Sequence, residues 1–143
     1  MKKYLTERAL ADYQAYLREQ ERSKATIEKY LRSARAFLRY LQDRPVSREL
    51  IAQWKQALLE QHCAPSSINA ALAALNGLFG MLGWNEYRTK FLRVQHRMFR
   101  DPDKELSREE YARLVRAAQR RGDARLTLVL ESICATGIRV SEV

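Results

Sequence analysis

The sequence predicts an all-α fold. Apolar residues recur three and four positions apart through most of its length, as on one face of a helix. Ser, Thr or Asp stands just before most of these runs, where a helix start needs a side-chain acceptor. The 143 residues include 5 glycines and 3 prolines, few enough to argue against a loop-rich or all-β chain. A hydrophobic fraction of 46% supplies a core, and the length admits one domain or a small domain plus part of another.

Thr6 caps the first helix, with Leu10, Tyr13, Tyr16 and Leu17 on one face. Ser23 caps the second, whose Ile27, Tyr30, Leu31, Ala34, Phe37, Leu38 and Leu41 form an apolar stripe. Pro45 in "DRPVS" breaks that helix, and Ser47 opens a third carrying Leu50, Ile51, Trp54 and Leu58, ending near His62.

Pro65 suits the first turn of a fourth helix, expected over Ser66 to Leu82. No charged residue occurs from Cys63 to Trp84. Ile68, Leu72, Leu75, Phe79 and Leu82 make its stripe, and Ala70, Ala73, Ala74, Gly77 and Gly80 are small. A helical glycine costs about 1 kcal/mol relative to alanine, so Gly77 and Gly80 ask for a reason. Two are open: close packing against a neighbouring helix, or close approach to a ligand backbone. In the second, Ser66, Ser67, Asn69 and Asn76 are neutral hydrogen-bonding groups beside the ligand. The second and fourth helices also align at a spacing of 41 residues, pairing Ile27 with Ile68, Leu31 with Leu72 and Leu41 with Leu82, a faint repeat.

The stretch "GWNEYRTKFLRVQHRMFRDPDKE" changes character. Arg88, Lys90, Arg93, Arg97, Arg100 and Lys104 alternate with Trp84, Tyr87, Phe91 and Phe99, and Pro102 marks a break, so a short helix running into a basic linker is expected. "LSREEY" is then a capping box, Ser107 with Glu110, with Leu106 and Tyr111 placed as a hydrophobic staple. That helix carries Leu114, Val115 and Ala118 and stops at Gly122. Asp123 caps the next, bearing Leu126, Val129, Leu130 and Ile133, which Gly137 ends. Arg139 then sits at the opening of another helix.

The net charge is +9, and 19 of the 26 cations are arginines, whose planar fork suits phosphate. Nucleic acid is therefore the leading partner class, against a basic but merely solvated surface. Arg32, Arg35 and Arg39 share one side of the second helix, away from its apolar stripe, with Lys24 and Lys29 flanking and Ser23 and Thr26 at its start. Arg139 is a cation at the wrong end of a helix unless an anion docks there, since helix N-termini attract phosphate. Cys63 and Cys134 read as two buried free thiols, and His62, Cys63 and His96 make no usual metal spacing. No cofactor is implied. No apolar run approaches the ~18 residues of a membrane span, and "MKKYLTERAL" lacks a signal-peptide h-region.

Taken in order, "RSKATIEKYLRSARAFLRYL", "APSSINAALAALNGLF", the basic linker and "ELSREEYARLV…LESICATGIRVSEV" resemble a phage-integrase-type tyrosine recombinase. The resemblance implies a SAM-like core-binding domain at 1–85, a linker at 86–105 and the first helices of a catalytic domain at 106–143. It implies that Arg139 is the first catalytic arginine, holding the scissile phosphate and stabilising charge on the transition state. It places Ser23 to Arg39 and Ser66 to Asn76 across a DNA groove, and Arg93, Arg97, Arg100 and Lys104 on the strap of a clamp around duplex DNA. It implies a prokaryotic or phage-encoded cytoplasmic protein of a mobile element, without cofactor or metal. The family's nucleophilic tyrosine lies downstream of the first box, whereas all seven tyrosines here precede Arg139. The 143 residues are thus expected to bind DNA without cleaving it, as part of a parent recombinase. The faces bearing Tyr111, Leu114, Val115, Leu126, Val129, Leu130 and Ile133 are expected to lack cover and to drive self-association through 107–143, or to leave the end disordered. The competing expectation is a stand-alone helical regulatory or interaction module.

Overall fold

The computed structural model describes residues 1–94, 103 and 105–142. Every regular element among them is helical. The chain divides into two units, Met1–Gln95 and His96–Val143.

The first unit is a four-helix bundle of α1 (Glu7–Glu19), α2 (Lys24–Leu41), α3 (Arg48–Glu60) and α4 (Pro65–Met81). Each start has the expected local chemistry. Thr6 accepts from the N–H of Ala9, Ser23 from Thr26 and Ser47 from Leu50. α4 has no side-chain cap and begins with Pro65, which needs no partner for a missing N–H. At the other end of α2, Arg44 donates to the carbonyls of Leu41 and Tyr40, a cation where the helix exposes negative charge.

α4 packs against α1, α2 and α3, and this accounts for its lack of charge. Ile68, Leu72, Ala74, Leu75, Leu78 and Phe79 are buried along it. Phe37 of α2 meets Trp54 of α3 and Phe79 of α4 edge-on, at centroid distances of 5.2 and 6.2 Å. Tyr13 of α1 is wholly buried and donates its hydroxyl to the carbonyl of Ala74 at 2.9 Å. A Cβ on Gly77 would lie 2.5 Å from that hydroxyl oxygen, so Gly77 is small because α1 crosses α4 there. Gly80 meets nothing within 4 Å, and its packing role is not supported.

After α4, Gly83 adopts φ +70° and the chain turns into one 3₁₀ turn, Asn85–Tyr87, in place of the expected short helix. Trp84 and Tyr87 pack against Phe79 and close that end of the bundle. Lys3 lies 5.6 Å from both of their ring centroids and pairs with Glu86.

In the second unit, α5 (Arg108–Arg120) and α6 (Ala124–Thr136) pack on each other. The capping box is complete: Ser107 accepts from the N–H of Glu110, and Glu110 accepts from the N–H of Ser107. Asp123 caps α6 through Leu126, and Gly137 ends it at φ +70°. Leu106 is 64% exposed, so the staple partner of Tyr111 stays in solvent. Ala118 is buried, but no residue of α6 is. The expectation of two buried thiols fails: Cys63, between α3 and α4, is half-buried against the bundle core, and Cys134 is exposed because a two-helix layer leaves α6 an open face. No helix among the described residues is long and apolar enough to cross a membrane.

Candidate nucleic-acid interface

The 3-and-4 spacing on α2 brings Arg32, Arg35 and Arg39 together as the sequence implies. All three are exposed and line a groove of about 510 Å³ with Leu31, Glu28 and the α1 residues Glu7 and Gln14. No ion pair or hydrogen bond engages the three guanidinium groups among the described residues, so their donors face solvent. Glu7 and Glu28 offset part of the local positive charge. Lys24 and Lys29 are exposed but lie outside this groove.

The other candidate residues are placed differently. The hydroxyl of Ser23 accepts the cap bond of Thr26 and sits 2.9 Å from the hydroxyl of Thr26, so both are occupied in starting the helix. Ser66 and Ser67 are exposed at the start of α4 and have no side-chain hydrogen bond.

Asn69 and Asn76 depart most from the expectation of ligand-facing amides. Asn76 accepts from the N–H of Thr89 and donates to its carbonyl, both at 2.9 Å. Asn69 does the same with Leu92, at 2.7 and 2.9 Å. Both amides are half-buried and committed to main chain. The two asparagines lie two helical turns apart, a rise of about 10.5 Å. Three residues of nearly extended chain, Thr89 to Leu92, span about 10 Å. The match lets α4 hold the segment at two points, running antiparallel to the helix. The first residues of the basic linker are therefore packed on the bundle, and Leu92 is partly buried against its core. Arg93 is exposed just beyond the second clamp. Arg97, Arg100 and Lys104 lie outside the described residues, as does Phe99.

In the second unit, Arg139 is followed by a 3₁₀ turn, Val140–Glu142, in place of the expected longer helix. Its N–H donates to Glu142 at 2.9 Å, and its guanidinium lies 3.5 Å from the same carboxylate while 84% exposed. The carboxylate fills the role expected of a phosphate: it satisfies the free N–H and faces the arginine. Such a long, exposed pair is weak and gives way readily to a better anion.

Two basic clusters escape a reading based on apolar spacing. Arg113, Arg116 and Arg120 line a groove of about 380 Å³ on α5 with Gln119, at the same 3-and-4 spacing as the α2 stripe. Arg48 and Lys55 of α3 meet Arg88 and Lys90 of the clamped segment across a groove of about 410 Å³. The spacing of the first was visible in the sequence. The second needed the fold, which brings together residues far apart along the chain.

The comparisons agree with this architecture. The family of the phage integrase N-terminal SAM-like domain matches residues 10–86. No curated protein matches the chain. The crystal structure of XerA recombinase superposes with a TM-score of 0.55 at 23% identity, covering 96% of this chain. This chain spans 49% of the XerA chain, about half its length. The matched span takes in the whole of α2, α3 and α4 and most of α1, and with it the chain belongs to the phage integrase family through its N-terminal SAM-like domain.

Proposed function

We propose that this chain is the DNA-gripping portion of a site-specific tyrosine recombinase, binding duplex DNA through the arginine face of α2. The carrying observation is that Arg32, Arg35 and Arg39 are aligned, exposed and unneutralised by direct pairing, in a domain of the integrase family. Three unpaired guanidinium groups over about two turns suit successive phosphates of one strand, where bidentate contacts are strongest. Lys24 and Lys29 flank this face, and Ser66 and Ser67 present free hydroxyls on the first turn of α4. Asn69 and Asn76 belong to the support of the strap and not to the contact surface. Arg93 is exposed, and Arg97, Arg100 and Lys104 add positive charge to the linker sequence and are proposed to contact the same duplex.

Arg139 is proposed to hold the scissile phosphate in the parent enzyme, with Glu142 giving way to that phosphate. These residues act without a cofactor, on the DNA of a prokaryotic cell or phage. None of the seven tyrosines is proposed as the nucleophile, and these residues are proposed to hold duplex DNA without forming a phosphotyrosyl link. Self-association through residues 107–143 is proposed, and the exposure of Leu114, Leu126 and Leu128 supports it.

The test is a duplex titration at rising salt. The chain binds at low salt, and its affinity falls steeply as released counterions are penalised. The triple reversal R32E/R35E/R39E abolishes binding while leaving the melting temperature of the bundle intact. Absence of binding by the unmodified chain at low salt defeats the reading, and a covalent adduct with a nicked suicide duplex defeats the claim of inactivity. Full binding by the triple reversal, by contrast, leaves a regulatory or protein-interaction role for this face.

A further inference from the structure

Arg48 and Lys55 stand two turns apart on one side of α3, with buried Ile51 between them. Across from them run Tyr87, Arg88, Thr89 and Lys90. The groove between is lined by four cations and no carboxylate, unlike the α2 groove with its two glutamates. Like charges gathered in this way repel one another, and the nearest carboxylate that acts on them, Glu86 beside Arg48, is paired with Lys3 and lies outside the lining.

Main-chain carbonyls hold two of the cations in place. Arg48 donates its Nε–H to the carbonyl of Glu86 at 2.8 Å, and Lys55 donates to the carbonyl of Lys90 at 3.0 Å. A carbonyl orients a cation without cancelling its charge. Arg48 keeps the N–H groups at the end of its fork, and Lys55 keeps two of its three. Arg88 and Lys90 make no side-chain bond or ion pair among the described residues. Their backbone is fixed because Asn76 grips Thr89 between them. Two donors are thus oriented, and the backbone carrying the other two is fixed, before any ligand arrives, which spares part of the ordering entropy on binding.

We infer that this groove is a second phosphate-binding site for the backbone of duplex DNA, formed by α3 and residues 87–90 and positioned by Asn76. It rests on the duplex-binding reading and adds a contact surface which that reading does not contain. Arg88 and the free end of Arg48 supply forks that suit a phosphate, and Lys55 and Lys90 supply point charges and further donors around them. Thr89 and Tyr87 form the floor and wall, so the site reads charge and shape and not base sequence.

The experiment compares three full-length proteins on the same duplex across a salt series: the unmodified chain, R48Q/K55Q/R88Q, and a control of equal charge, K2Q/R8Q/R18Q. Thermal melting confirms that each is folded. If the first variant is not, R88Q/K90Q serves in its place, since it leaves both bonds from α3 to main-chain carbonyls intact. The groove variant is expected to flatten the slope of log affinity against log salt by about 0.9 for each phosphate no longer neutralised, while the control stays near the unmodified slope. If the unmodified chain binds but the groove variant keeps its affinity and slope, or falls no further than the control, this site is overturned and the α2 reading stands. If the unmodified chain does not bind duplex at all, both fall.

Discussion

Asn76 holds Thr89 by both its N–H and its carbonyl, thirteen positions away in the chain. One side chain thereby satisfies two main-chain groups that a non-helical segment cannot pair within itself. Asn76→Ala removes both bonds, at about 0.5–1.5 kcal/mol each. The expected loss in urea unfolding is about 1–3 kcal/mol. Asn76→Asp keeps the acceptor but sets a carboxylate against the carbonyl of Thr89, and is expected to cost at least as much. Limited trypsin digestion reads the local effect: either variant speeds cleavage at Arg88, Lys90 and Arg93 ahead of sites within α1 to α4.

Gly77 and Tyr13 make a second coupled pair. Gly77→Ala drives a methyl to within 2.5 Å of the Tyr13 hydroxyl, and overpacking of this kind costs about 1–3 kcal/mol. Tyr13→Phe loses the bond to Ala74, at about 0.5–1.5 kcal/mol. In the double variant the offending oxygen is gone, and the next ring atom lies at an ordinary 3.5 Å. Adding Gly77→Ala to a chain that already carries Tyr13→Phe is therefore expected to be neutral or to stabilise by up to about 1 kcal/mol, from helix propensity. Strict additivity of the two losses in a double-mutant cycle would refute the assignment.

Glu28 lines the α2 groove beside Arg32 and Arg35 without bonding either. A carboxylate there repels a phosphate that the arginines attract. Glu28→Gln is expected to strengthen duplex binding about two- to fivefold at low salt, with the gain fading as salt screens it. Fluorescence anisotropy at two ionic strengths checks this, and weakened binding would place the DNA elsewhere.

The carboxyl of Glu110 is held below its usual range, first by its bond from the N–H of Ser107 and then by the Ser107 side chain. A carboxylate with a depressed folded-state value stabilises the fold above its unfolded value and loses that contribution as pH falls through the folded one. The start of α5 is therefore expected to hold at neutral pH and to fray in acid, below the range where free glutamate titrates. Ser107→Ala should move the midpoint of Glu110 upward in a carbon-detected NMR titration. An unchanged midpoint would mean that the Ser107 side chain has no part in lowering it, the main-chain N–H of residue 107 being kept in the variant.

What was legible in the sequence was local. Thr6, Ser23, Ser47, Ser107 and Asp123 announced their helices because an N-cap bond reaches two or three residues along the chain. The apolar stripes and the arginine stripe of α2 were legible because helical period is a local rule. Gly77 announced that it needed a reason but not which one, since Tyr13 lies on another helix. Asn69 and Asn76 misled for the same cause: an uncharged hydrogen-bonding side chain on a small-residue helix looks free until the segment it grips is placed. The cationic groove of α3 was invisible, its two walls coming from segments that only folding joins. The open face of α6 was expected only through the family resemblance, because how many layers cover a helix is encoded in no single stretch.

The clamp at Leu92 also resets a length. A tether's entropy depends on the residues free to wander between its fixed ends, and grows with the logarithm of their number. The bundle's last helix ends at Met81, but among the described residues its grip on the chain reaches Leu92. The stretch from Leu82 to Leu92 therefore contributes no slack. Substituting both asparagines would let that stretch loose while leaving every linker residue in the sequence unchanged.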